Sequence, residues 1–215
     1  MPTAQSFRTT ALIVGLIALG AGIGAYTARY YQPAPAAQID GLMWPDPKQI
    51  GRFAAVDQDG RPFTLDKLQG KWSFLFFGYT HCPDVCPITL GVLSQLERRL
   101  LEEKIDAPVQ MVFVSVDPQR DTTTQIRDYV RYFSPGLIGV SGTESEVQSI
   151  TRQVGIAVLH YDPDPQGNYL VDHSASVFLI DPRGRLLMVF PAPQNADAML
   201  SRFRQVLDFI ERADA

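Results

Sequence analysis

Apolar positions recur along this chain at changing periods, and each change marks an element. Thr9 to Ala28 carries no charge and runs ALIVGLIALGAGIGAY through its middle. At 1.5 Å per residue its roughly 20 residues span about 30 Å, one bilayer core, so a membrane helix is predicted over 9–28. A proline- and alanine-containing spacer fills 29–39, and a globular domain is expected over 40–215. Within it, Phe53 to Val56, the turn Asp57-Gln58-Asp59-Gly60 and Pro62 to Leu65 read as a β-hairpin. The apolar run Trp72 to Phe77 reads as a buried strand, and Leu93, Leu96 and Leu100 follow at helical spacing. Val109 to Val116 is β-branched and strand-like; Asp121 is the expected N-cap of a helix with Ile126, Tyr129, Val130 and Phe133 on its apolar face. Leu137 to Val140 is a short strand, and Thr143 with Glu146 forms a capping box for a helix reaching about Val154. Ile156 to Tyr161 and Tyr169 to Val171 flank a loop of turn formers, 162–168. Val177 to Ile180 and Leu186 to Phe190 form a second hairpin about Asp181-Pro182-Arg183-Gly184, and a last helix runs from a cap at Asn195 to about Arg212.

The order of these elements, with the only two cysteines at the first strand-to-helix junction, is that of an α/β thioredoxin-like fold. It carries an N-terminal β-hairpin and a mid-chain insertion, and one transmembrane helix precedes it. In that architecture the strand after the mid-chain helix runs antiparallel to its neighbours. Its start, next to His173, therefore meets the carboxyl ends of the parallel strands, where Cys82, Cys86 and the Asp117 loop lie and where open α/β sheets bind ligands.

Composition narrows the class. With 19 basic and 23 acidic residues and a pI near 5.3, the chain has no electrostatic footprint for nucleic acid. Residues 1–8 are expected in the cytoplasm, although Arg8 before the span and Arg29 after it nearly balance. A cleaved signal peptide is the competing reading of the apolar run, but no small-x-small site followed by a polar start is present. No Arg- and Ser-rich leader precedes the run, so the expected location is a bacterial inner membrane, single-pass, with the domain facing the periplasm.

Cys82 and Cys86 stand four apart, with Pro87 suited to the first turn of the following helix. The unpaired amides of that helix N-terminus lie close to Cys86 and favour a thiolate. Four chemistries compete for the pair. A structural disulfide would close a tiny loop and constrain little of the unfolded chain. Thioredoxin-type catalysis uses Cys-x-x-Cys and a cis-proline before the strand that here begins at Val177, and this chain has neither. A structural zinc site needs four ligands. Copper(I) accepts two thiolates and an imidazole. Of the three histidines, His81 is next to Cys82 and neighbouring loop side chains diverge, His160 lies in a strand pattern, and His173 faces the cysteines across the rim. Asp172 either orients that imidazole or is a turn residue, and Asp84 and Asp117 either tune the charge near the cysteines or stabilise turns.

Three separated motifs carry a resemblance. Phe77-Gly78-Tyr79-Thr80-His81-Cys82-Pro83-Asp84-Val85-Cys86-Pro87, then Val114-Ser115-Val116-Asp117-Pro118-Gln119-Arg120-Asp121-Thr122, then Asp172-His173-Ser174 before Leu179-Ile180-Asp181-Pro182 resemble the SCO/SenC family of copper-binding proteins that assist cytochrome c oxidase assembly. The resemblance implies a membrane-anchored metallochaperone rather than an enzyme, with copper held by Cys82, Cys86 and His173. It also implies partners: cytochrome c oxidase subunit II, whose dinuclear copper centre would receive the metal, and a thiol reductant or another copper chaperone. The alternative is a membrane-tethered thiol-disulfide oxidoreductase or redox sensor in which Cys82 and Cys86 cycle through a disulfide.

Overall fold

The computed structural model describes residues 15, 18–24, 26 and 42–214. Contacts divide the chain into two units, Met1–Gln38 and Ile39–Ala215. In the first, the described residues are helical. Most of the span expected over 9–28, and the spacer over 29–39, lie outside the described residues. Among those described, no helix is long and apolar enough to cross a membrane.

In the second unit a seven-stranded sheet has the order β1 (Leu42–Gln49), β9 (Arg185–Phe190), β8 (Val177–Ile180), β3 (Trp72–Gly78), β4 (Val109–Ser115), β5 (Ile138–Ser141) and β2 (Val56–Asp57). Its centre is β3, β4 and β5, all parallel. They are linked by helices α1 (Val85–Glu102) and α2 (Thr123–Phe133). β8 lies antiparallel to β3, and β9 antiparallel to β8. Every residue of β3 is buried, as the unbroken apolar run requires of a strand covered on both faces. α1 buries Leu93, Leu96 and Leu100, and packs against α4 (Ala196–Asp214). Asn195 caps α4, its side-chain oxygen accepting from the Ala198 N–H at 3.0 Å. The mixed α/β core is thioredoxin-like, and helix α3 (Glu144–Val154) carries the expected Thr143–Glu146 capping box. Between α3 and β8, β6 (Val158–His160) and β7 (Val171–His173) pair as a separate two-stranded sheet.

Three local readings are corrected. The first hairpin is reduced to a single bridge, Val56 to Pro62, because β2 (Val56–Asp57) is used to extend the sheet along β5. The strand β1 (Leu42–Gln49), pairing with β9, is unforeseen: Pro45 and Pro47 argue against a strand, yet prolines are tolerated on a sheet edge, and the pairing slips between Met43 and Lys48. Finally, Thr122, not Asp121, caps α2, in a capping box with Gln125. The Asp121 carboxylate instead accepts from the Thr80 N–H, the Thr80 hydroxyl and the Ser115 hydroxyl, at 3.0, 2.6 and 2.6 Å. It thereby ties the loop after β4 to the loop that carries the cysteines.

Candidate metal centre

The carboxyl end of β3 delivers the cysteine loop. At Gly78 the chain passes so close to Cys86 that an added Cβ would lie 2.9 Å from its Sγ and 2.9 Å from the Phe113 ring. Only a residue without a side chain leaves room for that sulfur. The Cys82 N–H then turns back to the Tyr79 carbonyl at 3.2 Å, and α1 begins at Val85. Cys86, in its first turn, is fully buried, Cys82 is half-buried, and both are free.

His173 arrives from the other side. Its Nε2 lies 3.6 Å from Cys86 Sγ, and its Nδ1 lies 3.0 Å from the Ser174 carbonyl. Donation from Nδ1 to that carbonyl fixes the tautomer and leaves the Nε2 lone pair toward the sulfur. Two ring edges hold the imidazole, Phe76 at 6.2 Å and Tyr79 at 5.9 Å between centroids. Cys82, Tyr79, Val85 and His173 line one open cavity of about 400 Å³.

The two thiols differ in charge. A hydrogen bond from Cys86 pushes the Cys82 thiol down to about 3 against the opposing effect of burial, with smaller help from the backbone at Asp84 and Cys86. The same hydrogen bond, together with burial, pushes Cys86 up. The expectation of a thiolate at Cys86 is therefore corrected: the helix N-terminus and its neighbours favour the anion on Cys82, while the buried sulfur keeps its proton.

The remaining candidates are dispersed. Asp172 is exposed, because side chains alternate along β7 and His173 and Val171 face inward. The Ser174 carbonyl, not Asp172, meets the histidine ring. Asp84 is exposed at the start of α1 and makes no side-chain cap. Asp117 is fully buried, turned into an ion pair with Arg120 at 2.5 Å and accepting the Tyr169 hydroxyl at 2.7 Å. His81 is exposed beside Thr80 and Asp121. His160 has a buried Nε2 without a hydrogen-bond partner. Gly78, Arg120 and Asp121 stand within the sequence motifs, yet Gly78 and Arg120 were given no role there, Asp121 was given the wrong one, and Tyr169 was missed as part of this rim; a glycine ending an all-buried strand was the one local signal for Gly78. Among the described residues, no three His, Cys, Asp or Glu side chains form a group that could hold a metal ion.

The family model described as SCO1/SenC matches residues 45–208. The chain belongs to the SCO1/SenC family. An SCO2-like protein of Rickettsia conorii is 34% identical over 197 residues, which cover 89% of this chain and 95% of the relative. Among solved structures, copper-bound ScoI of Arabidopsis thaliana is 34% identical with a TM-score of 0.67, covering 72% of this chain and 98% of its own. Copper-bound ScoI of Bradyrhizobium japonicum is also 34% identical, with a TM-score of 0.65 and coverage of 73% and 98%. The family match over residues 45–208 includes Cys82, Cys86 and His173.

Proposed function

We propose that this protein is a copper metallochaperone, binding copper(I) through Cys82, Cys86 and His173 and passing it to the dinuclear copper centre of cytochrome c oxidase subunit II. The observation that carries the reading is the approach of His173 Nε2 to Cys86 Sγ, with the far ring nitrogen engaged by a backbone carbonyl. Two sulfurs and one imidazole are a soft, low-coordinate donor set, suited to copper(I). The copper bound in the two related ScoI structures supports the same cargo. Cys86 loses its proton on binding, and the half-buried Cys82 offers a thiolate on the open side from which a partner can take the metal. The uncharged stretch at 9–28 supports a single membrane anchor, with the domain on the periplasmic side of a bacterial inner membrane.

A second reading rests on the unequal thiols. A half-buried thiolate at Cys82 beside a protonated, buried Cys86 is also the arrangement of an attacking and a resolving cysteine in thiol-disulfide exchange. Both roles require the reduced pair. Joining the Cys82 thiolate to the Cys86 thiol passes two electrons and the one remaining thiol proton to an oxidising partner disulfide, which is reduced to a thiol and a thiolate, and removes both sulfur donors from the copper site.

Anaerobic copper(I) titration of the reduced full chain in detergent, against a competing chelator, tests the proposal. One equivalent should bind, and His173→Ala should weaken binding about a hundredfold, equivalent to about 2.7 kcal/mol. The reduction potential of the cysteine pair should change little. Unchanged affinity in the variant removes His173 from the ligand set and leaves the exchange reading.

A further inference from the structure

The hairpin that presents His173 has no backbone ladder to the main sheet, since β6 and β7 pair only with each other. Something else must hold it on the rim, and one cluster of side chains does so from the loop after β4. The Tyr169 hydroxyl donates to the buried Asp117 carboxylate at 2.7 Å. The Arg120 guanidinium, paired with the same carboxylate, lies over the Tyr169 ring, its Cζ 3.5 Å from the centroid. A cation over a ring face is attracted to it, and Arg120 Nη2 is buried without any hydrogen-bond partner. The same guanidinium is 5.6 Å from the Tyr79 ring, which meets the edge of His173. Tyr169 is four residues before His173 in the chain, and Asp117 follows the strand paired with the one that delivers the cysteines. The cluster therefore bridges the two halves of the donor set without contributing a donor.

We propose that Tyr169, clamped between Asp117 and Arg120, is a positioning residue that holds the β6–β7 hairpin so that His173 stands against Cys86. This rests on the copper reading above only for its effect on the metal; the effect on His173 itself is independent of it. A side chain that acts solely through His173 should matter only while His173 is present.

The test uses the reduced full chain in detergent micelles, with Tyr169→Leu and Tyr169→Phe, each made alone and with His173→Ala. In the copper-free protein, nuclear Overhauser contacts between the His173 ring and the rings of Tyr79 and Phe76 report its position. They should be strong in the parent, weakened in Tyr169→Phe and lost in Tyr169→Leu. The copper(I) dissociation constant should rise about tenfold for Tyr169→Leu, in the range typical of residues that orient a metal ligand, and about threefold for Tyr169→Phe. In the His173→Ala background neither change should move it more than about twofold, because a pair acting in series is not additive. Retained ring contacts in Tyr169→Leu overturn the proposal. So does an equal loss of affinity with and without His173, which would mark Tyr169 as a support of the whole domain. If Tyr169→Leu fails to fold, Tyr169→Phe alone decides, since it keeps the ring over Arg120 and removes only the hydroxyl. A parent that binds no copper(I) defeats the chaperone reading but leaves the ring contacts to judge this one.

Discussion

Cys82 and Cys86 follow β3, a strand buried along its whole length and hydrogen-bonded on both sides to β4 and β8. His173 ends β7, a three-residue strand whose one partner is the three-residue β6 and whose turn, 161–168, is exposed throughout. The two halves of the donor set thus rest on supports of different stiffness. A packed central strand opens only with the whole domain, whereas a short hairpin held by a few side chains opens at lower cost. In the proposed copper site, this difference would assign retention to the cysteine side and release to the histidine side.

Removing support from the stiff side should have the largest effect. Phe76→Ala deletes a fully buried ring that packs on Phe113 and on the His173 edge, and should cost about 3–5 kcal/mol, lowering the melting temperature by roughly 10 °C in a thermal scan. Arg120→Met should come next. It leaves the buried Asp117 carboxylate without its cation, for a loss of about 3 kcal/mol in urea unfolding. If the two sides differ as described, limited proteolysis of this variant should cut first within 161–168, whereas Phe76→Ala should be cut throughout.

Gly78→Ala is the smaller and more selective change. The new methyl meets Cys86 Sγ and Phe113 and should destabilise the domain by about 1–3 kcal/mol in denaturant titration. It should also slow formation of the Cys82–Cys86 disulfide. The smallest effect is on the pH dependence of Cys82. Because its folded-state pKa is depressed to about 3, the thiolate persists well below neutrality. Single alkylation by iodoacetamide should be nearly independent of pH between about 5 and 8, whereas an unperturbed thiol with a pKa of about 8.5 would slow close to tenfold per unit. The sign follows for stability: a depressed pKa adds stability above the unfolded value, and that contribution is lost as pH falls toward 3. A steep alkylation profile would mean that the two thiols are alike and the helix N-terminus acts on neither.

Much of the framework was legible along the chain because it depends on local pattern. The buried run 72–77, the leucines of α1, the Thr143–Glu146 capping box and the hairpin about Asp181 each declare themselves within a few residues. The thioredoxin-like order of elements then puts His173 on the cysteine rim, and the structure brings its Nε2 to Cys86. Other features depend on partners far away in sequence. β1 is a strand only because β9 offers an edge that tolerates its prolines. Asp121 is drawn from the cap to Thr80 and Ser115 by groups that only the folded rim assembles. Asp172 and His173 are neighbours in the chain but face opposite ways, since strand pleating, not adjacency, decides what a side chain meets. The chain's local patterns singled out the residues proposed to bind a soft metal and roughly where the fold would gather them. The tertiary structure alone decided which sulfur carries the charge, which carbonyl orients the imidazole and what holds the histidine hairpin in place. The last of these joins residues 52 apart, Tyr169 and Asp117; the other two join near neighbours, Cys82 with Cys86 and His173 with Ser174, whose side-chain geometry is set by the folded rim and not by their spacing in the chain.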